Sequence, residues 1–79
     1  MTTKAYVLIE TAVGKTKAVL EALRAVHGME AVDAVTGPYD LIAVLSADDL
    51  NSVGQVVTEE VHTIGGIIRT VTCLSVSVR

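Results

Sequence analysis

The chain has 79 residues and a mass of 8.3 kDa, which leaves room for one domain and no second globular unit. Surface scaling gives such a chain about 12,000 Å² exposed when unfolded and about 4,600 Å² when folded, a marginal burial that points to help from a partner subunit, and 51 % apolar against 19 % charged residues sharpens the point. Six Lys and Arg against nine Asp and Glu give a net charge of −3, and with no Phe or Trp and only Tyr6 and Tyr39, neither a basic stripe nor an aromatic platform exists for DNA or RNA.

Lys4 to Glu10, K-A-Y-V-L-I-E, is apolar on both alternating faces and is read as a central strand covered on two sides. Gly14 opens a segment in which Val19, Leu23 and Val26 recur at helical spacing with Leu20 beside them, and Gly28 stops it: helix 1. Met29 to Val35 alternates Met29, Ala31, Asp33 and Val35 on one face with Glu30, Val32 and Ala34 on the other, and ends in the turn Thr36-Gly37-Pro38: strand 2. Tyr39 to Leu45 is again apolar on both faces and forms strand 3, paired with strand 2 as a hairpin and central in the sheet.

Ser46-Ala-Asp-Asp49 precedes Leu50, Val53, Val57, Val61 and Ile64, so helix 2 is expected to start on the Ser46 hydroxyl, with two carboxylates at its positive dipole end. Gly65-Gly66 ends it, and Ile67 to Val78 is the final strand. The order βαββαβ, with right-handed crossovers, gives an antiparallel sheet of order 4-1-3-2 with both helices on one face, the ferredoxin-like α+β fold. The other face then carries an apolar patch too large for a monomer, which a two-fold dimer packing sheet on sheet covers.

Few residues carry chemistry. His27 and His62 fall near the ends of the two helices, where an imidazolium suits the carbonyl-rich terminus, and neither has Asp, Glu or Cys at metal-ligand spacing. Cys73, the lone cysteine, is expected as a small packing residue, excludes an internal disulfide and suits a reducing, cytoplasmic setting. Asp48-Asp49 and Glu59-Glu60 diverge by about 100° on a helix and cannot converge on one substrate. Gly14-Lys-Thr-Lys17 lacks the first glycine of a phosphate loop, with Ile9 standing there. No segment reaches the roughly 20 apolar residues of a membrane span, and the start is too short and β-branched for a signal peptide.

Thr36-Gly-Pro-Tyr-Asp40 stands out, because turning requires Gly37 and Pro38 but not a Tyr and an Asp at the mouth of an apolar strand. Asp40 either bonds backbone N–H groups at the hairpin corner or presents a carboxylate to a small polar ligand, two roles of equal weight. Thr70 and Thr72 share a face of strand 4 with Leu74 and Val76 and offer hydroxyls beside apolar surface, although β-propensity alone accounts for threonines there.

The stretches A-Y-V-L-I-E-T, V-T-G-P-Y-D-L-I-A-V-L, S-A-D-D-L and I-G-G-I-I-R-T-V-T-C-L, in this order, resemble the effector-binding (RAM) domain of the Lrp/AsnC transcription regulators over nearly the whole chain. The resemblance implies a sheet-to-sheet dimer, commonly built into rings of dimers, with an amino acid or related small metabolite bound between dimers. It places ligand contacts at Gly37, Tyr39 and Asp40, with further contacts at Thr70 and Thr72. No cofactor and no metal are expected. Pro38 departs from the acidic or polar residue common in relatives. The helix-turn-helix of full-length members has no counterpart, since strand 1 begins almost at Met1, so the expectation for residues 1–79 is a stand-alone, non-enzymatic effector domain without DNA binding. Rival readings are a small cofactor-independent enzyme of the dimeric α+β barrel type and a partner that co-assembles with full-length regulators.

Overall fold

In the computed structural model, which describes residues 2–76, one antiparallel sheet is assembled from β1 (Thr3–Thr11), β2 (Met29–Ala34), β3 (Leu41–Ala47) and β4 (Ile67–Leu74) in the order β2-β3-β1-β4. Helices α1 (Thr16–Arg24) and α2 (Leu50–Val56), the latter continued by one π-helical turn over Val57–Val61, complete the βαββαβ chain. The fold and strand order are those expected from the sequence. Strand 4, predicted to reach Val78, ends at Leu74, with Ser75 and Val76 outside it; the last part of that prediction lies outside the described residues.

Alternation fixes which side chains meet the helices. Ala5, Val7 and Ile9 of β1 stand opposite Leu45, Ala43 and Leu41 of β3, and all six are fully buried against Val19, Leu23, Val53 and Val61 of the helical layer. The residues between them, Tyr6 and Leu8 on β1 with Val44 and Ile42 opposite on β3 and Cys73 and Val71 on β4, form the other face. Tyr6 is 38 % and Val71 37 % exposed. The prediction that strand 1 is covered on both sides is therefore met on one side within a single copy, because the two helices supply only one covering layer. The folded chain exposes 5106 Å², above the roughly 4,600 Å² that scaling gives a compact monomer of this mass.

Several element boundaries shift for local reasons. A bulge between Met29 and Ala31 breaks the alternation expected in strand 2, so Met29 joins Val32 and Ala34 on the helix side, while Ala31 and Asp33 face the open side. Strand 3 starts at Leu41 rather than Tyr39 because Tyr39 and Asp40 belong to the corner. Helix 1 begins at Thr16 without a side-chain cap, two residues after the turn at Gly14, whose φ is +79°. It ends at Arg24, so Val26 is buried in the turn before Gly28 rather than on the helix.

The cap of α2 is Asp49, whose carboxylate accepts the Ser52 N–H at 2.8 Å. This corrects the expected Ser46 cap: β3 runs on through Ser46 to Ala47, and the Ser46 hydroxyl bonds the Glu30 carboxylate across to β2 instead. That hydrogen bond to Ser52 also holds the Asp49 carboxyl below its ordinary pKa of 3.8. Leu50, predicted to pack, is 58 % exposed, while Val53, Val57 and Val61 form the buried stripe.

Candidate functional site

The corner between β2 and β3 is built by backbone hydrogen bonds that close a short loop. Val35 N–H donates to the Asp40 carbonyl at 3.0 Å, and Asp40 N–H donates to the Ile9 carbonyl at 2.9 Å. Gly37 takes a φ of +145°, a region that side chains rarely adopt, and nothing lies within 4 Å of where a Cβ would stand. Open space thus lies over its backbone, the condition for close approach by another molecule.

The Asp40 carboxylate turns toward the end of β1. Its Oδ2 accepts the Thr11 N–H at 2.8 Å and the Thr11 hydroxyl at 3.2 Å. Thr11 Oγ1 also lies 2.7 Å from Thr16 Oγ1; having given its one proton to Asp40, Thr11 takes that of Thr16. Asp40 therefore pins the corner to β1 and, through Thr11, to the first residue of α1. The corner-bonding role weighed from the sequence is present in the structure.

Tyr39 projects the other way. Arg69 Nη2 donates to Tyr39 Oη at 3.3 Å, and the guanidinium carbon lies 5.4 Å from the ring centroid, within cation–π range. Arg69 Nε is 3.6 Å from Glu10 Oε1, the two residues standing opposite each other in the β1–β4 register and so sharing the open face.

Thr70 and Thr72 stand opposite Ile9 and Val7 and so face the helices. Thr70 Oγ1 is hydrogen-bonded to His62 Nε2 at 3.0 Å. Thr72 lines an apolar groove of about 240 Å³ with Leu50, Val53, Val57 and Leu74. The structure thus gathers Gly37, Tyr39 and Asp40 at one corner and leaves Thr70 and Thr72 apart from it, each in its own surroundings. Sequence reasoning passed over Thr11 and Arg69; pairing strand 1 with strand 4 would have found Arg69, since that register sets it against Glu10.

A second, polar cleft of about 470 Å³ lies at the opposite end of β3, lined by His27, Ser46, Asp48, Gln55, Glu59 and Glu60 among others. His27 lies past the end of α1, and its backbone N–H donates to Glu60 Oε1 at 3.2 Å; it belongs to the turn joining α1 to β2 rather than to the helix terminus expected for it. Among the described residues no group of three or more His, Cys, Asp or Glu side chains is placed to hold a metal ion, and no helix is long and apolar enough to cross a membrane. Cys73, expected to pack, is exposed, because it points to the face that the helices do not cover.

The profile of the Lrp/AsnC ligand binding domain matches residues 4–78. No curated protein sequence gives a significant match. Among solved structures, TTHA0845 from Thermus thermophilus superimposes with a TM-score of 0.91 at 32 % identity, over 98 % of this chain and 96 % of that one. The hypothetical protein PHS023 from Pyrococcus horikoshii gives 0.88 at 32 % identity, over 98 % and 92 %. The transcriptional regulator NMB0573 from Neisseria meningitidis, solved as a complex with L-Met, shares the fold with a TM-score of 0.85 at 13 % identity, this chain spanning 95 % of its own length and 50 % of the regulator's. A profile match across almost the entire chain, two near-full-length structural matches at 32 % identity and the βαββαβ sheet place the chain in the Lrp/AsnC ligand-binding-domain family.

Proposed function

We propose that this chain is a non-enzymatic module that binds an amino acid or a related small metabolite and assembles by packing the open sheet faces of two copies, the ligand being received at the contact between such dimers. The observation that carries the reading is the open face itself. Tyr6, Leu8, Ile42, Val44 and Val71 form apolar surface on the side of the sheet away from the helices, and a second sheet covers it most economically. The corner at its end offers what a zwitterion requires: an accessible backbone at Gly37, the ring and hydroxyl of Tyr39, and the Asp40 carboxylate, whose Oδ1 has no hydrogen bond among the described residues and is left for an ammonium while Oδ2 is held by Thr11. The L-Met in the complex of the Neisseria regulator supports an amino acid as the ligand class.

Full-length regulators of the family are the natural hetero-partners, since the same face would serve their matching domain, and the reading calls for a cytoplasmic setting and no contact with DNA. The test is titration calorimetry of the twenty amino acids against the purified chain. One or a few should bind at millimolar or lower concentration. Silence from all of them contradicts the ligand and promotes co-assembly with full-length regulators as the main role.

A further inference from the structure

Resting on the amino-acid reading above, we infer that Arg69 is the receiver of the ligand's carboxylate, held ready by Tyr39 and Glu10. A guanidinium has five N–H donors in a planar fork that matches a carboxylate two bonds at a time. In this structure one donor of Nη2 goes to Tyr39 Oη and the Nε side faces Glu10, while the Tyr39 ring stands near the guanidinium. The rest of the fork is uncommitted among the described residues, and the Arg69 side chain is 59 % exposed. An arginine lying free on a surface samples many rotamers, and ordering it on binding has an entropic cost. Here the ring, the phenol oxygen and the opposite carboxylate already restrain it, which lowers the ordering cost at the moment of binding.

Position gives the restraint its meaning. Tyr39 and Asp40 are adjacent in sequence and direct their side chains to different partners, Tyr39 to Arg69 and Asp40 to Thr11. The corner is therefore flanked by a cation on the open side and a carboxylate toward β1. On the open side the guanidinium is placed to take a carboxylate, and the exposed backbone of Gly37 lies in the same loop as Tyr39. Thr70 and Thr72 face the helix side, the first beside His62 and the second in the groove beside α2, whereas Arg69 stands on the open side with Glu10. The site then selects for an intact carboxylate and rejects amides, because a neutral group leaves the guanidinium without its charge partner.

The experiment titrates the twenty amino acids and their α-carboxamides against wild type, Arg69→Gln, Arg69→Lys and Tyr39→Phe, with a melting curve for each protein. The expected result is a tenfold to hundredfold loss of affinity, roughly the worth of one charge-assisted bond, both for Arg69→Gln with the acid and for wild type with the carboxamide. Arg69→Gln should add nothing further against the carboxamide. Arg69→Lys keeps the charge without the fork and should fall between, Tyr39→Phe should lose severalfold, and all melting curves should stay close to wild type, since Arg69 supports no buried contact. Acid and carboxamide bound equally by wild type, or acid bound by Arg69→Gln as tightly as by wild type, overturns the role of Arg69 and leaves amino-acid binding standing. No binding to wild type overturns both.

Discussion

The two faces of this sheet are written in nearly the same alphabet and end differently. On the helix side, Ala5, Val7, Ile9, Leu41, Ala43 and Leu45 are fully buried. On the other side Leu8, Ile42 and Val44, no less apolar, remain partly open beside the exposed Tyr6 and Val71. An apolar pattern states that a face is to be covered and does not state by what. Two short helices cover one face only, and the proposed sheet-to-sheet partner would cover the second, with the polar corner at its end.

The largest effect expected from breaking this contrast is Ile9→Asp. It places a charge in the fully buried layer, and a loss comparable to the whole stability of a chain this long, about 4–12 kcal/mol, should leave no cooperative melting transition. Gly28→Ala comes next. Gly28 holds a φ of +84°, and an added Cβ would run into the backbone carbonyl oxygen of Ser46, whose N–H in turn donates to the Gly28 carbonyl at 3.0 Å. The β2–β3 ladder must open to accommodate it, with an expected loss of at least about 1–2 kcal/mol in thermal or denaturant melts.

Asp40 separates architecture from recognition. Asp40→Ala removes the acceptor of the Thr11 N–H, and Thr11 is buried, so about 1–3 kcal/mol of stability should go, read as a fall in Tm of roughly 4–8 °C for each kcal/mol. Asp40→Asn keeps an oxygen for Thr11 while discarding the charge. It should melt near wild type yet bind amino acids more weakly, a dissociation that a purely structural Asp40 would not produce.

The smallest effect concerns Asp49, an exposed cap. Its folded-state pKa is lowered by the hydrogen bond from Ser52, so its contribution is present above the ordinary value of 3.8 and is lost as pH falls through the lower folded value. Wild type should therefore lose slightly more stability than Asp49→Ala on acidification through that window, in melts recorded at each pH.

The elements and their order were legible because strands and helices announce themselves by period. Two-faced apolar runs marked β1 and β3 as central, and Val53, Val57 and Val61 gave the buried stripe of the second helix. What escaped was set by tertiary pairing. The bulge after Met29 moves Met29 to the helix side of strand 2 with Val32 and Ala34, and no residue type in M-E-A-V-D-A signals it. The helix cap moved from Ser46 to Asp49 because β3 continues two residues further than its apolar run, held by β1 and by the bond from Ser46 to Glu30. At the candidate site Gly37, Tyr39 and Asp40 were visible as residues a turn does not need in full. Thr11 and Arg69 were not, since each acquires its meaning from a neighbour about thirty positions away that only the fold supplies.

The claim that the open face meets a second copy is tested most directly by light scattering on a sizing column with wild type and Leu8→Asp. Leu8 lies on the open face, so its replacement should spare the fold and break the assembly. The expected result is at least twice 8.3 kDa for wild type and a folded monomer, with a cooperative melt, for Leu8→Asp. A wild-type chain that runs as a monodisperse monomer at micromolar concentration, or a Leu8→Asp variant that assembles unchanged, would contradict it.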